Sequence, residues 1–124
     1  MSEEKMEPRR TIVIADDNVN ICQTLEDILI EKGYDVKTVG NGYELLEYLK
    51  EQIPHVVILD IMMPAKGGLE VLNAIKSISS DIKIIIYTGF PQYEKSVYAS
   101  FVNKLLIKTD SPEKLLDAVN ELTQ

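Results

Sequence analysis

The sequence predicts an α/β fold, a doubly wound parallel sheet of five strands covered by five helices. Three observations carry this: short β-branched runs alternate five times with segments of helical spacing, the middle runs are apolar throughout, and helix-boundary residues stand between them. An open sheet with one wet face would instead alternate polar and apolar residues along each strand.

Taken in order, Thr11–Ala15 is the first strand. A helix follows on the stripe Ile21, Leu25, Ile28 and Leu29, with Asn18 placed to cap its start and Gly33 to stop it in a left-handed turn. Residues 34–39 read as the second strand, and Leu45, Leu46 and Leu49 mark the second helix. Residues 55–59 form the third strand, whose Val56-Val57-Ile58-Leu59 is apolar on both faces, before a helix on Leu72, Ile75 and Ile78. Residues 82–87, with Ile84-Ile85-Ile86, are the fourth strand. The next segment, residues 92–102, is read as helix on a thinner stripe of Tyr93, Val97 and Phe101. Lys104–Ile107 is the fifth strand, and Leu115, Leu116, Val119 and Leu122 define a last helix opened by Ser111 and Pro112. Right-handed crossovers cover both faces of such a sheet, and the common order for five doubly wound strands is the flavodoxin-like 2-1-3-4-5, with the ligand crevice where the carboxyl ends of strands one and three part.

Composition narrows the function. The 124 residues, 45% hydrophobic and 27% charged, suit one compact domain with a real core. Residues 1–10 mix charges with one proline and no apolar period, so they read as a mobile tail and residues 11–124 as the folded unit. A net charge of −7 argues against binding nucleic acid, which needs a basic surface, and points to protein partners or cations. No apolar run approaches bilayer length and no signal-peptide layout opens the chain, so no membrane contact and a cytoplasmic location are expected. The single cysteine, Cys22, excludes an internal disulfide and reads as a packed thiol on a helix face.

Chemistry collects at the carboxyl ends of the strands. Asp16 and Asp17 follow the first, Asp60 the third, Thr88 the fourth and Lys108 the fifth. With strands one and three adjacent, three carboxylates crowd one pocket. At about 4 Å and an effective dielectric near 20 each like-charge pair costs about 4 kcal/mol, so a cation must neutralise them or some must protonate. Oxygen-only ligands and room for water suit Mg²⁺, with Mn²⁺ as a substitute. Solvated loop acids are the plainer explanation for any one of these residues. The concurrence of three acids, a hydroxyl and an ammonium around one crevice weighs against it.

The strings Val13-Ile14-Ala15-Asp16-Asp17-Asn18, Val57-Ile58-Leu59-Asp60-Ile61-Met62-Met63-Pro64 with Gly67-Gly68-Leu69, Ile86-Tyr87-Thr88-Gly89 and Leu106-Ile107-Lys108 resemble the receiver domain of bacterial response regulators, the CheY-like family. The likeness spans residue 11 to about residue 123. It implies a phosphoacceptor switch of a two-component system or phosphorelay, a signalling domain rather than an enzyme. Asp60 is then the acceptor, and Asp16, Asp17, Asp60 and the backbone carbonyl of Met62 are the Mg²⁺ ligands. Thr88 and Lys108 contact the incoming phosphoryl group. The implied partners are a sensor histidine kinase or histidine phosphotransfer protein and a downstream protein target. Phosphoryl transfer to a carboxylate asks mainly for alignment and positive charge around the equatorial oxygens, which Mg²⁺ and Lys108 supply, with the N–H groups of Ile61 and Gly89 as further donors.

Two positions depart from the family pattern. Thr109, not proline, follows Lys108, so a trans peptide is expected there. Leu105 stands three residues before Lys108, where the family carries an aromatic switch residue, and a leucine packs in either state. Met62 and Phe90, two beyond Asp60 and Thr88, flank the place where, by the resemblance, hydrolytic water approaches. Both are bulky and apolar, so either they hinder that water, which predicts slow loss of the phosphoryl group, or they simply cover the rim of the crevice. Among rivals, a flavin or nucleotide binder is disfavoured by acids in the first βα loop and by the absence of glycine-rich phosphate strings. A pseudo-receiver, signalling by protein binding without phosphate, is kept alive by Leu105 and Thr109. A phosphotransfer histidine module is the weakest, since His55 opens a strand beside Pro54 and reads as structural.

Overall fold

The computed structural model describes residues 9–62 and 68–124, without the side chains of Leu69, Glu94 and Lys95. Most of the expected N-terminal tail (residues 1–8) and the motif residues Met63, Pro64 and Gly67 lie outside the described residues. The elements are β1 (Thr11–Ala15), α1 (Val19–Glu31), β2 (Asp35–Val39), α2 (Gly42–Leu49), β3 (Val56–Leu59), α3 (Gly68–Ile78), β4 (Lys83–Thr88), β5 (Lys104–Ile107) and α4 (Pro112–Leu122). All neighbouring strands run parallel, in the order β2-β1-β3-β4-β5 that the sequence predicts.

Strand periodicity divides the core into two. Val13, Ala15, Val57, Leu59, Ile84 and Ile86 face Leu45 and Leu49 of α2 and Val71, Leu72 and Ile75 of α3. The alternate residues Ile12, Ile14, Val56, Ile58, Ile85 and Tyr87 face Cys22, Leu25 and Leu29 of α1 and Leu115, Ala118 and Val119 of α4. Both faces of β1, β3 and β4 are therefore buried, and each large side chain so removed from water stabilises the fold by about 1.5–3 kcal/mol. Local chemistry sets the helix ends. Asn18 Oδ1 accepts from the N–H groups of Asn20 and Ile21, Ser111 Oγ accepts from Glu113 N–H, and Gly33 takes a φ of 100° beyond α1. His55 has the structural role expected of it: its Nδ1 accepts the Thr11 N–H at 3.0 Å, tying the starts of β1 and β3.

One expected helix is absent. Residues 92–102 form two short 3₁₀ turns, Pro91–Lys95 and Val97–Phe101, so the described residues hold four α-helices rather than five. Ser96 causes the break: its backbone is extended (φ −87°, ψ 174°), its hydroxyl donates to Tyr93 O at 2.6 Å, and its Oγ accepts from Tyr98 N–H at 3.2 Å. The side chain thus closes one turn and caps the next, in competition with a continuous helix. Tyr93 and Tyr98 turn toward the core, while Val97 and Phe101 of the expected stripe are exposed. The Lys108–Thr109 peptide is trans, as expected. No helix among the described residues is long and apolar enough to cross a membrane.

Candidate functional site

Register assembles the site. Ala15 pairs with Leu59, so the next residues, Asp16 and Asp60, emerge side by side, and Asp60 N–H donates to Ala15 O at 2.9 Å. Thr88 is the last residue of β4 rather than the first beyond it, and it pairs with Ile107, so Lys108 projects at the same edge, its N–H donating to Thr88 O at 2.7 Å. The five residues singled out in the sequence stand around one end of the sheet.

Asp16, Asp60 and Thr88 are buried, whereas Asp17 is exposed. One carboxylate oxygen from each of Asp16, Asp17 and Asp60 lies within 4.8 Å of the others. Lys108 Nζ donates to Asp16 Oδ2 at 2.7 Å and to Asp60 Oδ2 at 3.1 Å. The remaining oxygens are held by backbone: Asn18 N–H donates to Asp16 Oδ1 at 2.9 Å and Met62 N–H to Asp60 Oδ1 at 3.0 Å. Thr88 Oγ1 accepts from Phe90 N–H at 3.2 Å, which leaves its hydroxyl proton free for another acceptor.

This geometry revises one expectation. At Asp16 like-charge crowding is not the chief disturbance. Burial is the main cause that raises the Asp16 pKa above its ordinary value, and hydrogen bonds from Lys108 and Asn18 offset it only in part; repulsion from Asp60 is a smaller contribution. Burial opposes the charge on Lys108, yet its bonds to Asp16 and Asp60, with their charges, outweigh that and hold the ammonium above the usual lysine value. Lys108 therefore already bridges two of the acids. Three carboxylates against one ammonium still leave two negative charges.

That residual charge and the all-oxygen donor set fit a hard divalent ion. Octahedral Mg²⁺ ligands at about 2.0–2.1 Å stand about 2.9 Å apart when adjacent and about 4.1 Å when opposite, close to the span of this cluster. A cleft of about 240 Å³, lined by Asp16, Asp17, Thr38, Gly40 and Glu44, leaves room for water. On the other side, an apolar groove of about 250 Å³ runs between Ile21, Leu25 and Ile28 of α1 and Tyr87 and Pro112, with Lys108 also on its wall.

Two residues with no site role assigned from the sequence also contribute, Cys22, the packed thiol expected, and Gly68. Cys22 Sγ donates to Asp16 O at 3.3 Å, and burial raises its thiol pKa. Gly68 was noted only as part of a string. A Cβ there would stand 2.9 Å from Ile61 Cβ and 3.2 Å from Ile61 O, so only glycine lets α3 close on the residue after Asp60.

Fold and site together define a doubly wound α/β domain with a lysine-bridged acidic cluster at the carboxyl edge of its sheet. Residues 12–120 match the response regulator receiver domain family, and the chain belongs to it. It is similar to the chemotaxis protein CheY of Thermotoga maritima, 28% identical over 118 residues that cover 93% of this chain and 98% of the relative. It is 34% identical over 121 residues to the CAI-1 autoinducer sensor kinase/phosphatase CqsS of Vibrio cholerae, covering 94% of this chain but only 18% of that much longer protein. Among solved structures, the response regulator TrrA of Thermotoga maritima in complex with Mg²⁺-BeF superposes with a TM-score of 0.85 at 33% identity, covering 91% of this chain and 98% of that one. TrrA in complex with the histidine kinase ThkA matches with a TM-score of 0.85 at 32% identity, covering 93% and 99%. The chain is thus a receiver domain of two-component signalling.

Proposed function

We propose that Asp60 accepts a phosphoryl group from the phospho-histidine of a sensor kinase or histidine phosphotransfer protein, and that a downstream protein reads the changed surface. The single observation that carries this is the bridging of Asp60 and Asp16 by Lys108 beside the buried Thr88 hydroxyl. Residues 11–124 are the unit we assign to this role, acting in the cytoplasm.

Asp16, Asp17, Asp60 and the Met62 carbonyl would hold Mg²⁺ or Mn²⁺. When bound, the ion supplies positive charge to the transferring phosphoryl oxygens. An Asp60 carboxylate oxygen attacks phosphorus in line. The P–N bond breaks as the P–O bond forms, and the imidazole leaves with the bonding pair. Lys108 pairs with the equatorial oxygens, and the Thr88 hydroxyl donates its free proton to one of them. The reaction modifies the protein itself, in keeping with a signalling domain. The groove between α1 and Pro112 has Lys108 on its wall, a surface suited to an apolar donor helix placed beside the acceptor. Support for a kinase as donor is the likeness to TrrA, which is solved bound to one.

The decisive experiment is labelling from a phospho-histidine donor or acetyl phosphate with Mg²⁺. The parent protein should take up label and Asp60→Asn should not. Undiminished labelling of the variant transfers the role to another residue, and no labelling of the folded parent favours a pseudo-receiver.

A further inference from the structure

Two backbone hydrogen bonds secure the loops that leave β3 and β4: Met62 N–H to Asp60 Oδ1 at 3.0 Å and Phe90 N–H to Thr88 Oγ1 at 3.2 Å. The side chains of the same two residues converge on Tyr93. Its hydroxyl donates to Met62 Sδ at 3.5 Å, and its ring meets the Phe90 ring edge-on, 6.2 Å between centroids at 88°. Tyr93 then meets Tyr98 of the second 3₁₀ turn at 5.6 Å and 77°. Both tyrosines pack on the core with Leu105, whereas Met62 and Phe90 are 48% and 43% exposed.

We propose that Tyr93 is a positioning residue that couples the state of Asp60 to the conformation of residues 91–101. The proposal rests on Asp60 being the phosphoacceptor. An acyl phosphate changes the charge and acceptor strength of the carboxyl group that holds Met62 N–H. It also offers new oxygens to the Thr88 hydroxyl, beside the atom that holds Phe90 N–H. Both loops are thereby displaced, and a rigid ring set against both side chains cannot keep the two contacts together when they move apart. Tyr98 and Ser96 follow, because the Ser96 hydroxyl is bonded to both Tyr93 O and Tyr98 N–H. Leu105 has no ring to turn, and Tyr93 is the ring that meets both Met62 and Phe90. The coupling is real only if these contacts differ between the two states of Asp60.

Fluorine NMR of protein carrying 3-fluorotyrosine tests this, with its six tyrosines assigned by single Tyr→Phe substitutions and beryllofluoride with Mg²⁺ as the phosphoryl mimic. On binding, the Tyr93 and Tyr98 resonances should move while that of Tyr34, paired with Thr123 Oγ1 at 3.2 Å, stays in place. In Tyr93→Leu the Tyr98 response should fall about threefold or more although the signal of bound beryllofluoride persists. Tyr93→Phe, which keeps the ring and its packing, should show a smaller loss and serves if the leucine variant does not fold. Bound beryllofluoride with an unmoved Tyr93, or an undiminished Tyr98 response in the folded variants, overturns the proposal and leaves the acceptor role of Asp60 intact. Failure of the parent to bind the mimic, or binding that survives Asp60→Asn, overturns the acceptor reading and this proposal with it.

Discussion

The ammonium of Lys108 lies 2.7 Å from a carboxylate oxygen of Asp16, two residues 92 positions apart in the chain, and it reaches Asp60 at 3.1 Å from the same nitrogen. In the metal-free protein this lysine is the cation that lets two buried acids stand together. Replacing it by methionine removes that charge and leaves both carboxylates short of a partner, so Lys108→Met should cost about 1.5–3 kcal/mol of stability in urea unfolding. Added Mg²⁺ should restore part of the loss. Equal stability of variant and parent in chelator would show that the bridge contributes nothing.

Mg²⁺ should stabilise the parent by about 1.4 kcal/mol at ten times its Kd, raising Tm by about 3–6 °C. Asp17→Asn, which alters an exposed residue, should lose most of that gain. The pH dependence follows from Asp16. Its raised pKa means that the folded protein binds this proton more tightly than the unfolded chain. Without metal its ionised form counts against stability, and the penalty fades as pH falls through the raised pKa. Protons and metal compete for the same oxygens, so the Mg²⁺-induced gain in Tm should shrink over that fall. A gain independent of pH, measured by scanning fluorimetry from neutral to acid, would place the ion elsewhere.

Gly68→Ala inserts a methyl group 2.9 Å from Ile61 Cβ and close to its backbone oxygen. Such overpacking typically costs about 1–3 kcal/mol. Because the strain falls on the residue after Asp60, labelling of Asp60 should slow along with the drop in stability. Unfolding and labelling rates equal to the parent's would mean that the loop yields freely.

Met62 and Phe90, on the loops that follow Asp60 and Thr88 and each about half exposed, are the side chains expected to screen Asp60 from water. Replacing both by alanine should speed loss of label from the isolated phospho-protein several-fold, roughly up to tenfold, by admitting water. Chase of a ³²P-labelled sample measures this, and a double variant that keeps its label longer than the parent contradicts the screen.

The strand pattern was legible to within a residue because each strand is a β-branched run bounded by polar residues. β2, β3 and β4 each start one residue later than expected, and β4 extends to take in Thr88. The segment after β4 was misread for an identifiable reason. Tyr93, Val97 and Phe101 are spaced as on a helix, but Ser96 satisfies the backbone by its own side chain, and the tyrosines five apart are the ones that pack inward. Nothing in the spacing alone reveals that competition. The string Gly67-Gly68 was visible, but the closeness of Ile61 that demands glycine was not.

By itself the sequence determined which residues could carry the chemistry, since acids, a hydroxyl and an amine directly after or ending apolar strands are local facts, and the parallel, doubly covered sheet follows from the alternation of strands and helices. Tertiary structure decided their relations: that Lys108 bridges Asp16 and Asp60, that burial more than repulsion raises the Asp16 pKa, and that Tyr93 touches both loops of the site. Those are properties of register and packing between segments far apart in the chain, where distances of a few tenths of an ångström set the energies and no pattern along the chain records them.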